Sequence, residues 1–278
     1  VNRVRRLLSV KKAGHTGTLD PMATGVLPIA LSNCTRFIDL LPVHDKGYVA
    51  KAKLGVTTDT LDSTGTVLSE SEVNVTRAQL ESVLEKYTGE IEQIPPMYSA
   101  ISKDGKRLYE LARQGIEIER EARKITVYSL SLGSFDGDCF SISVECSAGT
   151  YIRSLIDDIG KDLGCGATMT DLRRTSANGF SIDACVTLEE LEKAVNDDTA
   201  DKYITPIEKC FDTYCEIVVT EGQAKRFSNG GELSRDRLKD NISDGIYRVY
   251  SPDRQFLGLG EIEKDGEFLK VRRVYVRE

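Results

Sequence analysis

In the stretch "KGYVAKAKLG", Tyr48, Ala50, Ala52 and Leu54 fall on one side, and Val49, Lys51 and Lys53 on the other. That period of two predicts a half-buried strand, and "TDTLDSTGTV" (58–67) after it supplies turn chemistry. The period then becomes helical. Thr76 and Gln79 form a capping box, Leu80, Val83, Leu84 and Tyr87 follow at helical spacing, and Gly89 ends the run. A Pro-Pro pair opens a charged, amphiphilic excursion at 95–124, with a short helix around Leu108–Ala112. "ITVYSLSL" and "FSISVEC" alternate as strands. Beyond the Gly149 turn, Ile152, Leu155, Ile156, Ile159 and Leu163 line one stripe of a helix that Gly164 stops. "VTLEELEKAV" is a further helix, capped by Thr187 with Glu190 three residues on. From about 205–215 short strands separated by Gly and Asp turns dominate: "EIVVT", "GIYRVYS", "FLGLGEIE" and "FLKVRRVYV". They predict a small β-rich domain after a boundary near Pro206–Thr213.

At 278 residues the chain suffices for one large and one small domain. No apolar run approaches the roughly 20 residues that span a bilayer, and "VNRVRRLLSVKK" lacks a signal-like apolar core. The expectation is a cytoplasmic protein. Seven cysteines, an odd number without a C-x-x-C pair, fit idle or buried thiols in a reducing compartment. With only His15 and His44 beside them, no metal is expected. Net charge is −7, yet residues 1–36 carry six basic residues against Asp20 alone, which leaves −12 for the rest. Local potential governs docking, so a basic opening face on an acidic body still suits a polyanion. Taken alone, the same run also suits a solvated face.

Chemistry then narrows by elimination. No phosphate loop and no dinucleotide-binding glycine pattern is present. Asp59 and Asp62 in "TDTLDSTG" supply too few oxygen ligands at alternate positions for a calcium loop, and a plain turn is the simpler reading. Two residues stand out. Asp20, in "KAGHTGTLDPMATGVLPIAL", is a lone carboxylate that Pro21 biases toward an extended backbone, among glycines that admit a close ligand. It suits a nucleophile or general base, or simply a turn. Arg153, one residue past Ile152 in a first helical turn, sits at the edge of the apolar stripe. It either meets a carboxylate or phosphate there or snorkels past the stripe to water.

Together these segments resemble the bacterial TruB-type tRNA pseudouridine synthases over nearly the whole chain. The opening stretch resembles the signature around that family's catalytic aspartate, and "KGYVAKAKLGVTTDTLDSTG" its tyrosine-bearing strand. "IPPMYSAISKDGKRLYELARQGIEIEREARKITVY" resembles its RNA-gripping thumb. "CSAGTYIRSLIDDIGKDLGCGATMTDLRRTSANGF" resembles the motif with the catalytic arginine and a substrate-pocket loop. The resemblance implies an α+β fold: a mixed, largely antiparallel central sheet flanked by helices, plus a small C-terminal β-rich PUA-like domain. The expected domains are 1–208, with the thumb at about 96–124, and 212–278.

Carried over by residue, the resemblance makes Asp20 the nucleophile that isomerises a uridine in the tRNA T loop, conventionally position 55. Arg153 would keep Asp20 ionised and oriented, and Tyr48 would stack on the base with its hydroxyl near the proton leaving carbon 5. His15 would fill the space vacated by the flipped uridine, and Leu172 would line the pocket. Lys12, Lys103, Lys106, Arg107, Arg173 and Arg174 are expected phosphate contacts. No cofactor is implied. The partner is tRNA, through its T stem-loop and its acceptor end, with no obligate protein partner and a monomeric chain. The family pattern also implies a strand of the form G-x-L-x-x-D-K-P-x-G-x-T-S ahead of "VNRVRRLL"; without it an edge of the core sheet would stand unpaired. Two other readings share these features: a non-catalytic RNA-binding protein or folding chaperone, and a guide-RNA-dependent pseudouridine synthase. The thumb-like segment argues against the last, because guide-dependent relatives lack it.

Overall fold

The structure is a computed structural model that describes residues 1–103, 105–238 and 242–276, the side chain of Lys103 excepted. The alternating segment forms strand Lys46–Leu54, with Tyr48, Ala50, Ala52 and Leu54 buried and Val49, Lys51 and Lys53 exposed. It runs inside a seven-stranded sheet in the order Phe180–Ser181, Ala167–Ala177, Lys46–Leu54, Cys139–Cys146, Arg123–Asp136, Gly89–Gln93. The short strand Thr24–Gly25 joins Ala167–Ala177 in parallel, and the other ladders are antiparallel. The sheet is therefore mixed and largely antiparallel, as expected.

Helices Arg77–Lys86 and Ile152–Asp162 form where the apolar spacing places them. Thr76 accepts from the Gln79 amide while the Gln79 side chain accepts from the Thr76 amide, so the first turn has partners for two otherwise orphan donors. Their buried faces (Leu80, Val83, Leu84; Leu155, Ile156, Ile159) join Ala50, Ile142, Val144, Met169 and Leu172 in one core. Each of the Leu, Ile, Val and Met side chains among them contributes about 1.5–3 kcal/mol by leaving water. The segment "ATMTDLRRTSA" (167–177), which carries Leu172 and has no predicted element in the sequence, is an eleven-residue strand.

Contacts divide the chain into two compact units. The sheet and helices above belong to the unit of Leu19–Val26 and His44–Ala184. The other unit takes in Val1–Thr18, Leu27–Val43 and Cys185–Glu278. It holds the hairpin of Ala13–His15 with Ile29–Leu31 and a five-stranded sheet built from the four predicted C-terminal strands plus Leu233–Ser234. Phe37, Phe211, Phe256 and Tyr275 pack there with ring centroids 5.7–6.2 Å apart. Helices Asn2–Leu7 and Glu221–Ser228 in this unit have no counterpart in the sequence reading. Among the described residues no helix is long and apolar enough to cross a membrane.

Candidate active site

Arg153 lies in the first turn of the helix Ile152–Asp162 and is 5 % exposed. The helix start is pinned by Gln93, whose Oε1 accepts from the Tyr151 amide at 2.8 Å while its Nε2 donates to the Tyr151 carbonyl at 3.0 Å. A buried guanidinium requires partners, and Arg153 has them. Nε and Nη2 donate to the two carboxylate oxygens of Asp20, each at 2.9 Å. Nη1 donates to the Thr60 carbonyl at 3.0 Å, and Nη2 also to the Tyr98 carbonyl at 2.9 Å. The fork-to-fork pairing fixes the plane of the Asp20 carboxylate, whose side chain keeps 28 % exposure. Of the two readings open for Arg153, the carboxylate partner is the one realised.

Asp20 begins a turn closed by Ala23 N–H donating to its carbonyl at 2.9 Å. The chain then enters the parallel pairing of Gly25 with Arg174. Gly25 has φ +103°, and a Cβ there would lie 2.1 Å from the Arg174 carbonyl oxygen, so only glycine fits. Tyr48, 8 % exposed, faces the same core as the helix carrying Arg153. Burial pushes its phenol up to about 12; the Arg174 cation opposes that rise and the Asp20 charge adds to it.

Asp62, weighed in the sequence only as a calcium ligand or turn residue, proves to be a second acid of the cluster. Its residue is 5 % exposed, and its Oδ2 lies 3.7 Å from Arg153 Nη1. Its Oδ1 accepts from Thr60 Oγ1, Thr64 Oγ1 and the Thr64 amide. The side chain-to-backbone bonds do make a turn. The only hint in sequence was the density of Thr and Ser around two acids.

Leu172 is buried in the core beside Tyr48. Arg173 and Lys106 are exposed, as phosphate contacts must be. Arg107 is exposed, with Nη1 donating to the Ala100 carbonyl at 3.0 Å. The Lys103 side chain lies outside the described residues. Arg174 corrects the expectation: it is 1 % exposed, its Nε donates to the Val26 carbonyl at 2.7 Å, and no phosphate reaches a guanidinium so enclosed. Lys12 and His15 are exposed residues of the other unit, His15 ending the strand Ala13–His15. Among the described residues no group of three or more His, Cys, Asp or Glu side chains could hold a metal ion. What the site offers is a half-open, cation-clamped carboxylate beside a buried phenol, suited to nucleophilic attack coupled to proton transfer.

Residues 5–152 match the family model described as TruB family pseudouridylate synthase, N-terminal domain. Residues 153–212 and 215–274 match two TruB C-terminal models. The chain is 44% identical over 278 residues to a protein of Pseudomonas fluorescens named tRNA pseudouridine synthase B, covering 99% of this chain and 90% of that one. It is 48% identical over 257 residues to a protein of the same name from Azoarcus sp., covering 92% and 84%. Among solved structures it resembles a chain of an H/ACA RNP bound to a substrate RNA containing 2'-deoxyuridine, with TM-score 0.73, 25% identity, and 99% and 79% of the two chains covered. An archaeal box H/ACA sRNP Nop10–Cbf5 complex gives TM-score 0.72 and 26% identity, with 99% and 80% covered.

Proposed function

The chain belongs to the TruB family of pseudouridylate synthases, and on that premise we propose that it converts a uridine in the T loop of tRNA, position 55, to pseudouridine with Asp20 as nucleophile. The observation that carries the reading is the Arg153 fork on both oxygens of Asp20 at 2.9 Å, with Tyr48 held in the same unit. The isomerisation breaks the bond from the sugar carbon to N1 and makes one to carbon 5. It loses the proton on carbon 5 and gains one on N1. Asp20 supplies the nucleophile that carries the reaction while the base turns. Tyr48, whose phenol is protonated at neutral pH, stacks on the base and relays the departing proton. Arg153 holds the carboxylate in one orientation through the sequence of steps.

The uridine must leave its stack to reach a carboxylate in a recess, so base flipping belongs to the proposal, with His15 filling the vacated space. Lys12, Lys106, Arg107 and Arg173 are exposed cations available to phosphate. Residues 1–208 would carry catalysis, with the thumb gripping RNA, and 212–278, a PUA-like domain, would bind the acceptor end. Replacing Asp20 with Asn should abolish pseudouridine formation, read by mass spectrometry, while tRNA affinity stays close to that of the parent. Full activity in that variant would sink the mechanism. Growth supported by the inactive variant where a deletion fails would assign a separate chaperone role. The likeness to H/ACA chains keeps the guide-dependent reading open to one assay. Turnover of a bare T stem-loop by the isolated chain rules it out.

A further inference from the structure

Arg174 stands where packing alone would place a hydrocarbon. On its strand it faces the core with Leu172, and yet it carries a charge that burial cannot remove. Its backbone is the meeting point of the two parts of the site. Its Cα is paired with Tyr48 on the antiparallel side and with Gly25 on the parallel side. Its carbonyl accepts from the Val26 amide at 2.9 Å, and its Nε donates to the Val26 carbonyl at 2.7 Å. Both side chains are buried at this cross-strand pair, and the Arg174 cation acts on the Tyr48 phenol in the direction that favours the phenolate.

We propose that Arg174 is a positioning residue for the reaction, holding the Tyr48 phenol with one part of its guanidinium and the exit of the Asp20 loop with another. This rests on the roles given above to Asp20 and Tyr48. A strut that only supported the loop would need no charge; a neutral amide could donate to the Val26 carbonyl. A fixed cation against the phenol does something further: it stabilises negative charge on the oxygen at the instant a proton passes through it. The other charged or titratable groups around the phenol do not supply this. Asp20 opposes it, and the Cys146 thiol on the adjacent strand is pushed up to about 11 by burial. Lys46, two residues earlier on the Tyr48 strand, is not among the groups acting on the phenol. Arg174 is thus the cation placed to offset burial of the phenol.

The test reads the phenol independently of catalysis. 3,5-Difluorotyrosine introduced at position 48 brings the phenol titration into a range where the protein stays folded, and its fluorine resonance follows the proton. In Arg174→Met the fluorophenol should titrate at higher pH than in the parent, because a cation that favoured the phenolate is gone. On the natural side chain, R174M should lower kcat about tenfold or more with KM close to that of the parent. Arg174→Lys, which keeps the charge, should restore part of both. Should R174M fail to fold, Arg174→Gln, a neutral donor, makes the same comparison against R174K. An unshifted fluorophenol in a folded neutral variant, or equal loss of activity in the lysine and neutral variants, overturns the proposal. Tyr48→Phe keeps the two readings apart. Full kcat there removes the role given to Tyr48, while a shifted fluorophenol would still establish its coupling to Arg174.

Discussion

Asp62 shows how one carboxylate serves two purposes. Oδ1 is saturated by the Thr60 and Thr64 groups, which leaves Oδ2 facing Arg153 Nη1 at 3.7 Å. The guanidinium therefore lies between two acids, Asp20 and Asp62, and its orientation reflects both. The residue before Asp62 is Leu61 with φ +63°, a left-handed conformation that a leucine adopts only when held. The Leu61 carbonyl accepts from Met169 N–H at 3.2 Å, and Ser63 N–H donates to the Met169 carbonyl at 2.8 Å. Asp62→Asn should preserve the turn yet leave Arg153 with a single carboxylate partner. Single-turnover pseudouridine formation should fall about ten- to hundredfold, with a melting temperature within a few degrees of the parent by calorimetry. Asp62 escaped the sequence reading because a turn acid and a buried acid look alike until the strand that buries one of them is known. That strand lies more than a hundred residues away.

At the scale of elements, local signals did most of the work. The capping boxes at Thr76 and Thr187 and the stripe from Ile152 each appear where the chain spelled them out. The strand Ala167–Ala177 did not, although "NG" at 178–179 follows it. Asn178 at φ +55° and Gly179 at φ +83° make the tight hairpin that returns the chain as Phe180–Ser181. Arginines, threonines and an aspartate within the strand hid its period, because its register against Lys46–Leu54 shifts between Met169 and Asp171 and between Arg174 and Ser176, and its inward arginine is polar. The junction of Thr24–Gly25 with this strand is tight enough to test. Gly25→Ala places a methyl 2.1 Å from the Arg174 carbonyl oxygen at a positive φ, and the backbone must move. Unfolding free energy in urea should drop by about 2 kcal/mol or more. Activity should fall further than stability alone explains, because the shift displaces the loop that begins at Asp20.

For the whole molecule the governing term is charge against a polyanion. Net charge is −7, so RNA binding must rest on local cations, and Lys106 and Arg107 are exposed candidates. Lys106 and Arg107 lie on a short hairpin strand leading into helix Leu108–Ala112. The base of that segment is tied to the site, since Arg153 donates to the Tyr98 carbonyl and Tyr109 N–H to the Ser99 carbonyl. Replacing Lys106 and Arg107 together with Ala should raise KM with little change in kcat. It should also flatten the dependence of log affinity on log salt by about 1 to 2. A filter-binding series from low to moderate salt reads that slope. An unchanged slope would place those cations off the RNA path.

The sequence by itself determined whatever depends on neighbours along the chain. That covers the Lys46–Leu54 strand with Tyr48 on its inward face, the capped helices, the β-rich C-terminal stretch, and Asp20 and Arg153 as residues that need explaining. Those features follow from period, caps and residue type. Tertiary structure alone decided which groups meet. It set the bidentate contact between Asp20 and Arg153, the burial of Asp62, and the move of Arg174 from an expected phosphate contact to an internal brace. The reason is physical. Hydrogen-bond geometry and burial depend on strand register, and register brings together residues 24–25, 46–54 and 167–177, whose separation in sequence no local pattern encodes.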